Sequence, residues 1–372
     1  MQIIENGAFE KQTMPLWSWA VPLLAWAALI YASVHEAGGL ILILMAIVLL
    51  GTIVAAVHHA EVLAHRVGEP FGSLVLALAV TLIEVSLIVS VMLYDTSPAG
   101  STLARDTVFA TVMLACNGVL GICLVVAGWR YHEPVVSLRA ASSFLAVLTV
   151  LTISALVLPG FTRSATGPIY TTAQLVFVAS ASFGLYIVFL FVQTVRHRGD
   201  FLAADTLDDA DPPASHAPSN KATALAAVVL LVALSAVVLI AKKLSPALES
   251  AMRAANVVEP AAVVGVIVAA TVLLPELFSA LRSARRNQLQ TSINLGLGSA
   301  LASTALTLPA VAGVAIFTNE PLILGLSGTN QIFLALTIIV ATMTLGAGRA
   351  TILQGAVHLV ILALYLFLVV IP

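Results

Sequence analysis

Long apolar runs separated by short polar seams occupy almost the whole chain. A membrane-crossing helix needs about 20 predominantly apolar residues. Eleven stretches meet that requirement: 15–34, 38–60, 70–94, 107–129, 136–158, 169–195, 222–241, 260–281, 288–317, 322–346 and 350–371. Residues 196–220 read as the soluble insertion between them. The pattern predicts an all-α polytopic membrane protein with about 11 transmembrane helices.

Composition agrees with that reading. The chain is 60% hydrophobic and 9% charged, against about 25% charged residues in soluble domains. Residues 1–14 carry Glu5, Glu10 and Lys11 and close on no small-residue cleavage site, so the first run is expected to be a real span. A net charge of −2 without a basic tract gives no reason to expect nucleic acid; the expected partners are the lipid bilayer and small ions. Lys and Arg set the direction. On the side of the N-terminus lie Lys11, Arg66, Arg130, Arg139, Arg196, Arg198, Lys221, Arg282, Arg285, Arg286 and Arg349; on the other lie Arg105, Arg163, Lys242, Lys243 and Arg253. The N-terminus is therefore expected in the cytoplasm and the C-terminus in the periplasm of a bacterial inner membrane. Cys116 and Cys123, seven apart on one predicted helix, cannot bridge within it and read as packing residues.

Of eighteen acidic residues, only Glu84 and Glu276 fall inside the apolar runs. An acidic side chain at a helix centre costs roughly 2.5–3.5 kcal/mol on insertion scales, so each needs a counter-ion, a proton or a wet cavity. No Lys or Arg lies in the core of any run, so the pair reads as two jaws of one cation or proton site.

The surroundings of the two acids repeat. Glu69-Pro70 opens the third run and Glu84 follows fourteen residues after the proline; Glu259-Pro260 opens the eighth and Glu276 follows after sixteen. Proline suits a first helical turn, and a carboxylate there complements the helix dipole. In the next runs, aligning Arg105 with Arg286 sets Asn117-Gly118 opposite Gly298-Ser299. Helices three and eight are five apart, so they cross in opposite directions. The expectation is an inverted repeat of five helices, 2–6 against 7–11, with helix 1 leading. In residues, 1–37 form the N-terminal segment and leading helix, 38–195 the first repeat, 196–220 an acidic cytoplasmic linker, and 221–372 the second repeat.

Hydroxyl and amide groups accompany the acids: Thr81 and Ser86 near Glu84, Thr271 and Ser279 near Glu276. Pro275 removes a backbone donor just before Glu276 and is expected to open the helix there, freeing carbonyls. An all-oxygen site suits hard cations, Ca²⁺ above all. Cation and protons would compete for the same carboxylates, because a bound cation favours the ionised form and a proton abolishes it. Asn117 and Ser299 are pathway candidates; Gln288, Gln290 and Thr291 read equally as pathway or packing. His358 reads as hydrogen-bonded or as a proton relay, and His58 and His59 close the second run. Asp205, Asp208, Asp209 and Asp211 make residues 196–220 an acidic linker or a weak cation-sensing segment without the EF-hand pattern.

The stretch Ala64-His65-Arg66-Val67-Gly68-Glu69-Pro70-Phe71-Gly72 through Thr81-Leu82-Ile83-Glu84-Val85 resembles the first signature of ChaA-type calcium/proton antiporters, within the cation/calcium exchanger superfamily. Arg105-Asp106-Thr107-Val108, Asn117-Gly118, Gly128-Trp129-Arg130-Tyr131-His132, Leu274-Pro275-Glu276, Asn287-Gln288-Leu289-Gln290 and Asn294-Leu295-Gly296-Leu297-Gly298 are similar to it as well. The resemblance implies Glu84 and Glu276 as central cation and proton ligands. It also implies ten core helices plus one, and export of cytoplasmic cation against inward protons. The implied cargo is Ca²⁺, with Na⁺ or K⁺ as the alternative, and no cofactor. A cation channel of the same build is disfavoured by the repeat. No catalytic dyad or triad supports an intramembrane enzyme.

Overall fold

In a computed structural model of the chain, residues 15–35, 38–67, 71–92, 102–201, 218–254 and 257–372 are described. The Glu69-Pro70 entry and the aspartates of the linker lie outside them. Among the described residues the fold is helical, without strands. With no water in the hydrocarbon to satisfy backbone N–H and C=O groups, runs of this length close their hydrogen bonds as helices.

Eleven helices follow the sequence: α1 (Leu16–Val34), α2 (Gly39–Val67), α3 (Phe71–Met92), α4 (Leu103–Tyr131), α5 (Leu138–Phe161), α6 (Thr172–Arg196), α7 (Asn220–Ala254), α8 (Pro260–Ala284), α9 (Leu289–Thr318), α10 (Gly328–Gly346) and α11 (Ile352–Val370). Among the described residues ten are long and apolar enough to cross a membrane, and α3 adds a shorter apolar stretch, Leu78–Val89. Several boundaries depart from the sequence reading. Helix α2 continues to Val67, about two turns beyond residue 60, and carries Glu61 inside the helix. Helix α10 starts at Gly328 rather than near 322. Helix α8 runs unbroken through Pro275, so the expected opening is absent. Interruptions fall instead in α4, where Leu114–Val119 form a π-helical turn, and near the ends of α5 and α6, at Ile153–Val157 and Val192–Arg196.

Packing follows the exchange of helix n with n+5 that an inverted repeat requires. Helix α3 packs on α9 and α8 on α4; α4 packs on α11 and α9 on α6; α2 meets α7 and α5 meets α10. Local chemistry is duplicated too. Ser137 Oγ caps α5 through Ala140 N (3.3 Å), and Ser327 Oγ caps α10 through Asn330 N (3.4 Å). Capping boxes open α6, with Thr171 and Gln174, and α11, with Thr351 and Gln354; each satisfies two otherwise orphaned donors. The entry to α5 bridges the entry to α11 at Val135 and Arg349, and the entry to α6 bridges that to α10 at Ile169 and Ile323.

Apolar burial does not drive helices together inside lipid, so close approach relies on small residues. A Cβ on Gly265 of α8 would lie 2.8–2.9 Å from backbone atoms of Asp106 and Thr107 in α4. On Gly355 of α11 it would lie 2.7 Å from Val125 N and 2.8 Å from Gly121 O. Cys116 and Cys123 are buried, unbridged packing residues of α4.

Candidate functional site

Glu84 sits on α3 after Ile83, whose side chain joins a cluster with Ala56, Val57 and Ala60 of α2 and Val272 of α8. The opposite packing partner, α9, brings Ser303 to it: Ser303 Oγ lies 2.6 and 2.5 Å from the two carboxylate oxygens. Glu84 is 1% exposed. Thr307, one turn further along α9, sets its buried hydroxyl beside the same carboxylate. Thr81, one turn before Glu84, is buried as well.

Glu276 on α8 is partly exposed as a whole residue, yet its Oε2 is enclosed and has no hydrogen-bond partner. Its carboxylate lies within electrostatic reach of Glu84 and of Glu61. The two acids chosen from sequence thus stand on touching helices, α3 and α8, within electrostatic reach of each other. Their settings differ: Glu84 is held by a hydroxyl and Glu276 keeps a free oxygen. The backbones of α4 and α8 touch at Thr107 and Gly265. Eleven residues on, about 16 Å at helical rise, Glu276 comes level with the π-helical turn of α4, which packs on α8.

The remaining candidates separate. Asn117, in that π turn, is fully buried and its amide is used: Nδ2 donates to Thr337 Oγ1 (2.9 Å), and Oδ1 meets His358 Nδ1 (3.0 Å). His358 Nε2 meets Thr344 Oγ1 (3.2 Å). Asn117 therefore ties α4 to α10 and α11 rather than opening into a path, and His358 has a partner on each ring nitrogen. Ser299 is half-buried on α9. Gln290 Oε1 accepts from Ser137 N (2.9 Å), and Gln290 Nε2 donates to Asn294 Oδ1 (2.8 Å). That end of α9 braces loops: Asn294 Nδ2 donates to Phe201 O (2.5 Å), and Phe201 packs on Phe144 and Phe189. The start of the predicted linker is consequently anchored. His59 Nε2 meets Ser18 O (3.0 Å), while His58 packs its ring on Trp17.

Ser303 belongs to the small, polar face Gly296, Gly298, Ser299 and Ser303 that the sequence offers as pathway or packing, and Thr307 was not singled out. Ser299, Ser303 and Thr307 follow one another at intervals of four, which places them on one helical face; that spacing was the available signal.

Residues 37–195 and 225–371 each match the sodium/calcium exchanger protein family. The chain belongs to the sodium/calcium exchanger family. It is 48% identical over 362 residues to the protein y4hA of Sinorhizobium fredii, named as an ionic transporter, covering 96% of this chain and 97% of that one. It is 33% identical over 319 residues to the sodium-potassium/proton antiporter ChaA of Escherichia coli, covering 86% and 85%. Among solved structures, native YfkE superposes with a TM-score of 0.70 at 16% identity, covering 95% of this chain and all of that one. The H⁺/Ca²⁺ exchanger CAX superposes with 0.68 at 15% identity, covering 94% and 87%. These two likenesses concern the fold. As a member of this exchanger family, the protein is a multi-span cation antiporter, in a family of transporters rather than catalysts.

Ser303→Ala tests the hydroxyl clamp. A hydrogen bond to a charged group contributes about 1.5–3 kcal/mol, so exchange in vesicles is expected to fall about tenfold. Ser303→Thr, which keeps the donor, is expected to retain most of it.

Proposed function

We propose that this exchanger exports cytoplasmic Ca²⁺ against inward protons, with Glu84 and Glu276 as the shared binding pair of an alternating-access site. The observation that supports this most is that the two acids lie within electrostatic reach of each other on packed helices, one clamped by Ser303 and one with an unpartnered oxygen. Two carboxylates neutralise one divalent cation, and hydroxyls add neutral oxygens of the kind hard cations take. In the inward-facing state the ionised pair takes the cation; in the outward-facing state protons replace it and release it. The two family-matched segments support a division into repeats at 38–195 and 221–372. The excess of Lys and Arg supports a cytoplasmic N-terminus in a bacterial inner membrane.

Cation-induced proton release from everted vesicles, scanned over Ca²⁺, Na⁺ and K⁺, tests the assignment. Ca²⁺ is expected to act at the lowest concentration. Because protons and cation share the pair, lowering the pH is expected to raise the half-saturating cation concentration and raising the pH to lower it. A response to Na⁺ or K⁺ alone establishes the second reading, a monovalent cation/proton antiporter, which the 33% identity to a sodium-potassium/proton antiporter favours. Conductance uncoupled from protons would overturn both.

A further inference from the structure

Glu61 takes no part in the site as described, and the helical continuation of α2 to Val67 gives it a defined place. Val57 of α2 and Val272 of α8 belong to one packed cluster. One turn further along each helix, at i+4, come Glu61 and Glu276. The carboxylate of Glu61 is half-buried and interacts with Glu276 on one side and with His65 and Arg282 on the other. Both His65 and Arg282 are exposed and stand in the last turns of α2 and α8. Arg282 lies six residues beyond Glu276, about 9 Å along the axis, so the same ends of α2 and α8 lie together. The three acids thus form a series from the enclosed Glu84 through Glu276 to Glu61 near the helix ends. Among the described residues no three His, Cys, Asp or Glu side chains converge to hold one metal ion. Glu61 is thus the outermost of the three, nearest the helix ends.

We propose that Glu61 is the capture residue for the transported cation at the cytoplasmic mouth, drawing it from water and passing it to Glu276. The proposal rests on Glu84 and Glu276 being the exchange site. A fixed negative charge beside a narrow entrance raises the local cation concentration and the on-rate by about ten- to a thousandfold, and salt screens the effect. Arg282 opposes it: its positive charge offsets part of the field of Glu61.

The test measures half-saturating Ca²⁺, or Na⁺ where Na⁺ drives wild-type exchange, from each face separately. In everted vesicles, where the cytoplasmic face is outside, Glu61→Gln is expected to raise it about tenfold with little change in maximal rate. In right-side-out vesicles the same variant is expected to match wild type. Raising choline chloride to about 0.5 M is expected to bring wild type toward the variant. Arg282→Gln supplies the opposite sign, a lower half-saturating value on the cytoplasmic face, and Glu61→Asp keeps the wild-type value. An unchanged value on the cytoplasmic face, an equal change on both faces, or a change insensitive to salt would overturn the role of Glu61. Full exchange in Glu276→Gln would instead overturn the site beneath it, so the two failures are distinguishable.

Discussion

Glutamine at position 84 or 276 is expected to abolish exchange while the protein still inserts and folds. Glutamine is close to glutamate in size and keeps an acceptor oxygen, so Ser303 can still donate to residue 84. What disappears is the charge. Two unit charges 4 Å apart attract by about 4 kcal/mol at an effective dielectric of 20, and a divalent ion doubles that before desolvation is subtracted. Since 1.4 kcal/mol is a factor of ten, losing one carboxylate is expected to weaken cation binding by about a hundredfold or more. The proton half of the cycle is lost as well, because an amide does not titrate. Cation-driven proton movement in everted vesicles at matched protein levels is the measurement. Near-normal exchange in either variant would sink the assignment. The two need not fail in the same way: Glu84 is enclosed and hydroxyl-clamped, whereas Glu276 carries the buried oxygen with no partner. Residual cation binding without proton coupling is therefore more to be expected from Glu276→Gln.

The second large effect concerns the skeleton. Valine at Gly265 or Gly355 is expected to prevent stable assembly. At both positions the first added carbon would meet backbone within 2.9 Å, and backbone cannot rotate away as a side chain can. Overpacking costs typically 1–3 kcal/mol; here whole helices must separate, and each contact joins helices of opposite repeats, α8 or α11 against α4. Gly355→Ala is expected to lower the unfolding temperature in detergent, and Gly355→Val to leave little folded protein. Gly313 on α9 is the control: nothing lies within 4 Å of its would-be Cβ. Alanine there is expected to be neutral or to stabilise by about 0.5–1 kcal/mol through helix propensity. Size-exclusion profiles and thermal scans of the three variants distinguish close packing from a general intolerance of larger residues.

The two acids were legible because hydrocarbon makes an ionised side chain costly, so their position in apolar runs carried information that no loop acid carries. The repeat was legible because Glu-Pro entries and the arginine-aligned segments survive in both copies. Hydroxyls were harder: Ser303 and Thr307 cost little in a membrane helix and commonly serve packing, so Ser303 read as one of a small, polar face without a role and Thr307 was marked only by its spacing of four. Glu61 was misplaced because His58, His59, Glu61, His65 and Arg66 look like the end of a span, yet the helix continues with its polar groups at the edge of the bundle. The late start of α10 has a different cause. Leu322, Leu324 and Leu326 are apolar and buried but extended, since Leu324 and Gly325 bond Pro168 O and Leu326 N bonds Leu156 O. A short apolar run does not distinguish a buried extended segment from a helix. Pro275 failed as a breaker because neighbouring groups in a membrane helix absorb a missing donor. The π turn around Asn117 left no sequence mark that periodicity detects.

The interleaving of the repeats bears on how such a molecule could arise. Each acid-bearing helix rests on a helix of the other copy, α3 on α9 and α8 on α4. A half-length chain would present its glutamate to a missing surface. Two such chains inserted in opposite senses would supply it, at the cost of being identical. Joining them in one polypeptide removes that constraint, and the present molecule uses the freedom: a hydroxyl clamps one acid, its counterpart keeps a bare oxygen, and the glycine contact at Gly355 is made on one side alone. Asymmetry of this kind allows the two faces to bind with different affinities, while the ion gradients alone set the direction of net exchange.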